Sequence, residues 1–354
     1  MSDTERDESA GAMVDWRLAA RTAEKLVRPG PAMSIYTREQ VSAELAELSV
    51  FADAPVREVT LLADDSPVTP ATIVDRPGWA RAAAESLADL TGTTMDKPAG
   101  LLRGRPAGLQ AGAVLGFLST AIIGQYDPFT GPDGKLLLVA PNVVATERAM
   151  RVNTRDFRMW VCLHEVTHRV QFTSSPWLAK YMRGLVDTLG EHSDENLSEV
   201  VGRLAAAVRR SRGADQSRSD LGLERGMVGA LLATQPPKQR NAMVSLLMLG
   251  TLLEGHAEHV MDAAGPAVVP SVAHIRSLFD ERRRRRNNPI QWLMRTLLGV
   301  DAKIAQYIKG KEFVDEVVGR VGMREFNAIW SEPAALPQPG EIGAPGEWIK
   351  RVLG

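Results

Sequence analysis

Cysteine is nearly missing from this chain of 354 residues, where Cys162 stands alone. A single thiol excludes an internal disulfide and a cysteine-rich structural zinc site, and it suits a reducing cytoplasm. Net charge is missing as well: 42 basic against 43 acidic side chains leave −1, so nothing pulls the chain toward nucleic acid or an anionic membrane. One uncharged apolar stretch, residues 111–124 (AGAVLGFLSTAIIG), falls short of the ~20 residues that cross a bilayer. Gly104, Gly108, Gly112 and Gly116 recur every four residues along it. Such a stripe lets helices approach closely, so a buried helix is expected and no transmembrane span. Residues 1–12 are acidic and polar, without the basic and apolar regions of a secretory signal, and read as a solvated tail. The remainder, 13–354, is long enough to bury a substantial core as one domain.

What the chain does contain is His164-Glu165-Val166-Thr167-His168, an H-E-x-x-H pattern. On a helix the two histidines stand one turn apart on the same side, so two imidazole nitrogens can meet one metal ion. Glu165 is then placed to take a proton from an activated water, as a hydrolytic zinc site requires. No Pro or Gly falls between Asn153 and Thr173, and Trp160, Leu163 and Val170 recur with the histidines at helical spacing. The motif therefore lies on an apolar helix, expected over 154–172, with Pro176 just beyond it.

A catalytic zinc needs one more protein ligand and an open position. The segment Leu252-Leu253-Glu254-Gly255-His256-Ala257-Glu258-His259-Val260-Met261-Asp262 continues a second helical run, expected over 238–264 with Met243, Leu246, Leu247 and Leu253 as its buried stripe. Glu, His, Glu, His and Asp at the end of a buried helix are costly without partners, and a metal is such a partner. Glu254 and Glu258 share a helix face, so both remain candidates.

Elsewhere the pattern is mainly helical with a small β component, an α+β class. Thr37 and Gln40 form a capping-box pattern ahead of Val41, Leu45 and Leu48. Residues 71–74 and 135–140 are strand candidates; the second is expected just before the motif helix, either as a substrate-holding edge or as an interior strand. An insertion over 190–236, with helices at 196–212 and 225–234, is expected to separate the two metal helices and to shape or cover the cleft, or to be purely structural. Five arginines at 282–286 read as a solvated helix end. Residues 331–354, rich in proline, read as an extended wrap ending in a short helix.

HEVTH together with LLEGHAE resembles the gluzincins, zinc peptidases that take their third ligand from a glutamate. Glu254-Gly255-x-Ala257 is similar to the E-G-x-A segment of the aminopeptidase-like branch. Val14-Asp15-Trp16, Arg28-Pro29-Gly30-Pro31, Val74-Asp75-Arg76-Pro77-Gly78-Trp79 and Val139-Ala140-Pro141-Asn142 extend the likeness over most of the chain, to actinobacterial zincin-like presumed hydrolases, some associated with deazaflavin coenzyme genes. The resemblance implies a zincin-like fold, Zn2+ as cofactor, His164, His168 and Glu254 as ligands, and Glu165 as general base. Glu258 with Asp262 matches another gluzincin pattern, in which the glutamate binds zinc and the aspartate orients a histidine. His256 and His259, on the ligand helix, are candidate oxyanion donors, and Tyr181 and Tyr307 are further possible contributors. The expected partner is a peptide; the alternatives are a non-peptide amide of cofactor metabolism and a non-catalytic metal-binding protein of the same fold.

Overall fold

The computed structural model describes residues 14–62, 67–93, 95, 104–131, 133–190, 237–285 and 310–354. The expected insertion helices at 196–212 and 225–234, the tail 1–12, Tyr307 and the arginine side chains of 282–286 lie outside the described residues.

A three-stranded sheet forms the centre, in the order β1 (Thr72–Val74), β3 (Lys135–Val139), β2 (Gly124–Asp127). β1 pairs parallel to β3, with Ile73 opposite Leu138; β2 pairs antiparallel, with Gln125 opposite Leu137. The sequence KLLLV is an unbroken apolar run because β3 is buried on both faces, and alternate side chains serve different cores. Leu136 and Leu138 join one apolar cluster, Leu137 and Val139 the other. The strand expected at 135–140 is therefore interior. It does not lead directly into the motif helix: Pro141 opens a helix, Ala140–Met150, between them.

On the Leu137 face lie α1 (Trp16–Leu26), α4 (Arg76–Leu90) and α5 (Arg105–Leu118). The glycine stripe explains how α1 and α5 fit. A methyl at Gly108 would meet the Asp15 carbonyl at 2.6 Å, and one at Gly112 the Ala19 carbonyl at 2.5 Å. On the Leu138 face lie α2 (Ile35–Phe51), α3 (Asp53–Thr60), α6 (Ala140–Met150) and α7 (Thr154–Ser174), the motif helix. Val41, Leu45 and Leu48 of α2 are buried as their spacing predicts, but the cap lies three residues earlier than Thr37. The Ser34 hydroxyl accepts from the Thr37 N–H at 3.0 Å.

A third cluster joins α8 (Trp177–Gly190), α9 (Pro237–Ala263), α11 (Gly310–Val321) and α12 (Pro345–Val352); α10 (Val272–Arg285) packs beside α7. In α9 the buried stripe is Leu247, Met248, Leu249, Leu252 and Leu253, whereas the expected Met243 and Leu246 are only half-buried. The C-terminal stretch runs through short 3-10 turns into α12, whose Trp348 is fully buried and donates to the Ala335 carbonyl.

The short Pro- and Gly-bearing motifs meet at one place. Arg76 donates to the Arg28 and Pro29 carbonyls and to Asn142 Oδ1. Asn142 in turn donates to the Ser119 and Ile122 carbonyls. Gly30 lies so close to Pro141 that a methyl there would stand 2.7 Å from its Cβ. This knot fixes where α4, α5 and α6 begin and end.

Candidate metal centre

α7 is buried nearly all round, with apolar Phe157, Trp160, Leu163, Val166 and Val170 and polar Arg158, Thr167, Arg169 and Gln171 all inside the protein. Two buried arginines fix its ends. Arg158 forms a fork with Glu147 and reaches Glu44 on α2, and Arg169 reaches Asp53 and the Thr69 carbonyl. Such pairs add little net stability but orient the helix strongly. His164, Glu165 and His168 lie between these anchors.

α9 crosses α7 and brings Glu254 to the two histidines. The imidazole Nε2 atoms are 3.2 Å apart. Glu254 Oε2 lies 3.5 Å from His164 Nε2, and its Oε1 3.4 Å from His168 Nε2. The three ligand atoms all fall within 4.8 Å of one another. Four donors at Zn–N and Zn–O distances of ~2.0–2.1 Å form a tetrahedron whose edges are ~3.3–3.4 Å. The donor set thus has both the chemistry and the spacing of three corners of a zinc tetrahedron. Gly255 lets α9 approach α11 closely: a methyl there would collide with the Gly310 backbone at the start of α11.

The surroundings suit a cation. Desolvation pushes the Glu254 carboxyl up, but hydrogen bonds from His164 and His168 prevail and hold it well below the ordinary carboxylate range. Burial alone would lower His168, yet Glu254, Glu165 and Gln171 carry it up to about 9. Burial pushes Glu165 above its ordinary range; Glu254 reinforces this and the two imidazoles oppose it. The Glu165 side chain lies against β2, where a methyl at Gly124 would stand 2.6 Å from its Cγ and 2.8 Å from Oε1.

Behind the site, Gln171 links the two helices. Its Nε2 lies 3.1 Å from the Leu253 carbonyl, which can only accept, so this end of the amide must be the donor. Oε1 then faces His168 Nδ1 at 2.9 Å, which must carry a proton and leave Nε2 for a metal. The amide also donates to His256 Nδ1 at 2.9 Å. Burial, helped by His259 and His168, takes His256 down to about 3, so the ring is neutral. His164 Nδ1 faces the Met261 thioether at 3.2 Å.

The other polar residues of α9 find separate partners. Glu258 lines the cavity but pairs with Arg276 at 3.3 Å, and Asp262 pairs with Arg276 and Lys311. His259 meets Asp315 at 2.7 Å. His256 is completely buried against Phe326 and Trp330. Neither His256 nor His259 lines the cavity, so the expectation that they donate to an oxyanion there does not fit their positions. Asp262 orients no histidine ligand, because two cations already hold it. Tyr181 packs edge-on against Trp177, outside the cavity lining. Gln171, Gly124 and Arg276 were not anticipated. For Gln171 alone a local signal existed: a polar residue one turn beyond His168 on an apolar helix.

No helix among the described residues is long and apolar enough to cross a membrane. A comparison with curated proteins found no match. Among solved structures, the chain is similar to a presumed hydrolase with a novel fold from Chloroflexus aurantiacus, at 25% identity and a TM-score of 0.67, over 96% of this chain and 98% of that one. The sequence pattern of the zincin-like metallopeptidases matches from residue 14 to residue 349, and the chain belongs to that family.

Proposed function

We propose that this protein is a zinc-dependent hydrolase of amide bonds, a metallopeptidase, with His164, His168 and Glu254 as ligands and Glu165 as general base. Family membership implies a metal, typically zinc, and hydrolytic chemistry in general. The observation that carries the finer reading is the spacing of 3.2 to 3.5 Å among three donors of the right kind. Zinc bound there supplies a Lewis acid for the scissile carbonyl and lowers the pKa of water toward ~7.

The chain's own residues do the rest. Glu165 opens on the same cavity as the ligands, and burial raises its carboxyl above the ordinary range, the direction that makes it a better proton acceptor. It accepts the proton of the attacking water and delivers it to the leaving nitrogen. Gly124 leaves room for that carboxylate beside β2. Gln171 holds the His168 ring with Nε2 toward the centre. The presence of Glu165 favours catalysis over a purely structural metal, which has no use for a base.

The test has two stages. Purified protein should carry about one zinc per chain by elemental analysis, and His164→Ala combined with His168→Ala should remove it. Glu165→Gln should then retain zinc while turnover of any peptide found in a mass-spectrometric library screen falls ~10²–10⁴-fold. Zinc retained by the double variant, or full activity in Glu165→Gln, refutes the reading.

A further inference from the structure

We propose that the substrate is an uncharged amide bearing a bulky apolar group next to the scissile bond, seated on a wall built by α4 and α5. This deepens, and rests on, the reading of the site as a zinc amide-hydrolase centre.

The cavity that holds His164, Glu165 and Glu254 measures about 820 Å³ and runs without a break between α4, α5 and β2. It lies within the ~300–1,000 Å³ of small-molecule sites. Trp79, Leu87 and Leu90 come from one face of α4, Leu115 and Leu118 from α5, and Ile122 from the turn after it. The glycine stripe has a part here. Gly108, Gly112 and Gly116 occupy the side of α5 that meets α1, which leaves the bulky side chains of α5 for other faces, the cavity included.

The polar side chains on this wall are already engaged with one another. The Trp79 indole N–H donates to Gln125 Oε1 at 2.9 Å, and the Ser86 hydroxyl to Asp127 at 2.8 Å. Asp127 also accepts from the Phe129 N–H and the Thr130 hydroxyl. The wall therefore recognises a ligand through shape and dehydration. Charge points the same way. Carboxylates of Glu165, Glu254, Glu258 and Glu312 line the cavity, while the cation among its described lining residues, Lys311, is held by Asp262 and Asp315. Away from the metal centre, an anionic substituent would meet no unpaired ammonium or guanidinium among the described lining residues. The occupant follows from continuity: the apolar wall begins beside Gly124 and Glu165, where the reacting bond must lie, so a group attached to that bond covers it.

The test uses zinc-loaded full-length protein and a ladder of alkyl hydroxamates (acetyl, butanoyl, hexanoyl, octanoyl) with succinic monohydroxamate as the acidic counterpart, measured by calorimetry. Affinity should rise by about fourfold per methylene, the equivalent of ~0.8 kcal/mol for each buried CH₂. Leu87→Asp should flatten the ladder and leave acetohydroxamate unaffected. Leu90→Asp, also on a half-buried position, is the second variant should the first fail to fold. If acetohydroxamate itself does not bind, the metal-site reading fails and takes this proposal with it. If acetohydroxamate binds but chain length has no effect, or the acidic compound binds as tightly as its alkyl counterpart, the apolar wall alone is refuted.

Discussion

Replacing Gln171 by Met separates the positioning of a metal ligand from the mere filling of a core. The substitution keeps an unbranched side chain of similar length in a fully buried place and removes only the amide. Three hydrogen bonds vanish: those with His168 Nδ1, the Leu253 carbonyl and His256 Nδ1. The Leu253 carbonyl lies well inside α9 and keeps its helical partner, so the cost falls on the two imidazoles. At ~1–3 kcal/mol for each buried polar group left unmatched, the loss is about 2–6 kcal/mol. That is within reach of a folded protein whose total stability is ~5–15 kcal/mol.

Metal affinity should fall independently, by roughly the 10–100-fold typical of losing a group that orients a ligand. The reason is specific: without Oε1 nothing fixes the proton of His168 on Nδ1, and without Nε2 nothing ties α7 to the residue preceding Glu254. Zinc affinity is read by competition with a fluorescent chelator, stability by urea unfolding, and the His168 tautomer by ¹⁵N imidazole NMR of the metal-free protein. Gln171→Glu is the control. Its carboxylate still accepts from His168 Nδ1–H but cannot donate to α9, so affinity should partly recover while stability does not. Stability lost with zinc affinity within twofold of wild type would show that Gln171 only fills the core, and the positioning argument would be wrong.

Glu254→Ala should abolish tight zinc binding, whereas Glu258→Ala should lower it far less, because Arg276 retains Asp262; chelator competition ranks the two, and the reverse order would make Glu258 the ligand. Gly124→Ala places a methyl against Glu165 Cγ, so turnover should fall by at least about tenfold, part of the general-base contribution, with zinc content unchanged by elemental analysis. Glu341 is desolvated, which raises its pKa, but Arg351 and the Gln338 N–H hold it below the ordinary carboxylate range. A depressed folded-state value means stability that is present above the unfolded pKa of ~4.3 and is lost as pH falls through the folded value. Urea titrations from pH 7 to pH 3 should show this loss in wild type and a shallower one in Glu341→Gln; equal slopes would refute the pairing.

The legible parts of this protein were those whose meaning is local. H-E-x-x-H specifies its own geometry once the segment is a helix, and the absence of Pro and Gly from 154 to 172 specifies the helix. The unbroken KLLLV run and its flanking Gly134 and Pro141 mark a buried strand. β2 gave no such sign: Gly-Gln-Tyr-Asp is short, lacks alternation, and becomes a strand through its pairing with β3. Gln171 looked like an ordinary helix residue because its partners lie 82 and 85 residues away. The Arg158–Glu44 contact spans 114 residues. The Pro- and Gly-bearing motifs carried part of the family resemblance, yet apart from Trp79, which lines the cavity, the residues named from them serve to join element ends.

The charged segment of α9 shows where sequence reasoning reached its limit. Of its five ionisable side chains only His256 is buried, with Glu258, His259 and Asp262 half-buried and Glu254 exposed, yet each has a partner. A single partner for all of them was too economical. A helix turns 100° per residue, so successive positions from 254 to 262 face different neighbours, and each neighbour supplied its own answer. Glu254 meets the histidines, His256 meets Gln171, Glu258 and Asp262 share Arg276, and His259 meets Asp315. Of the three carboxylates, Glu254 alone faces imidazoles in place of an arginine or a lysine. That difference in partners is what the proposed ligand role of Glu254 rests on, and it becomes visible only when the elements that carry the partners have been placed.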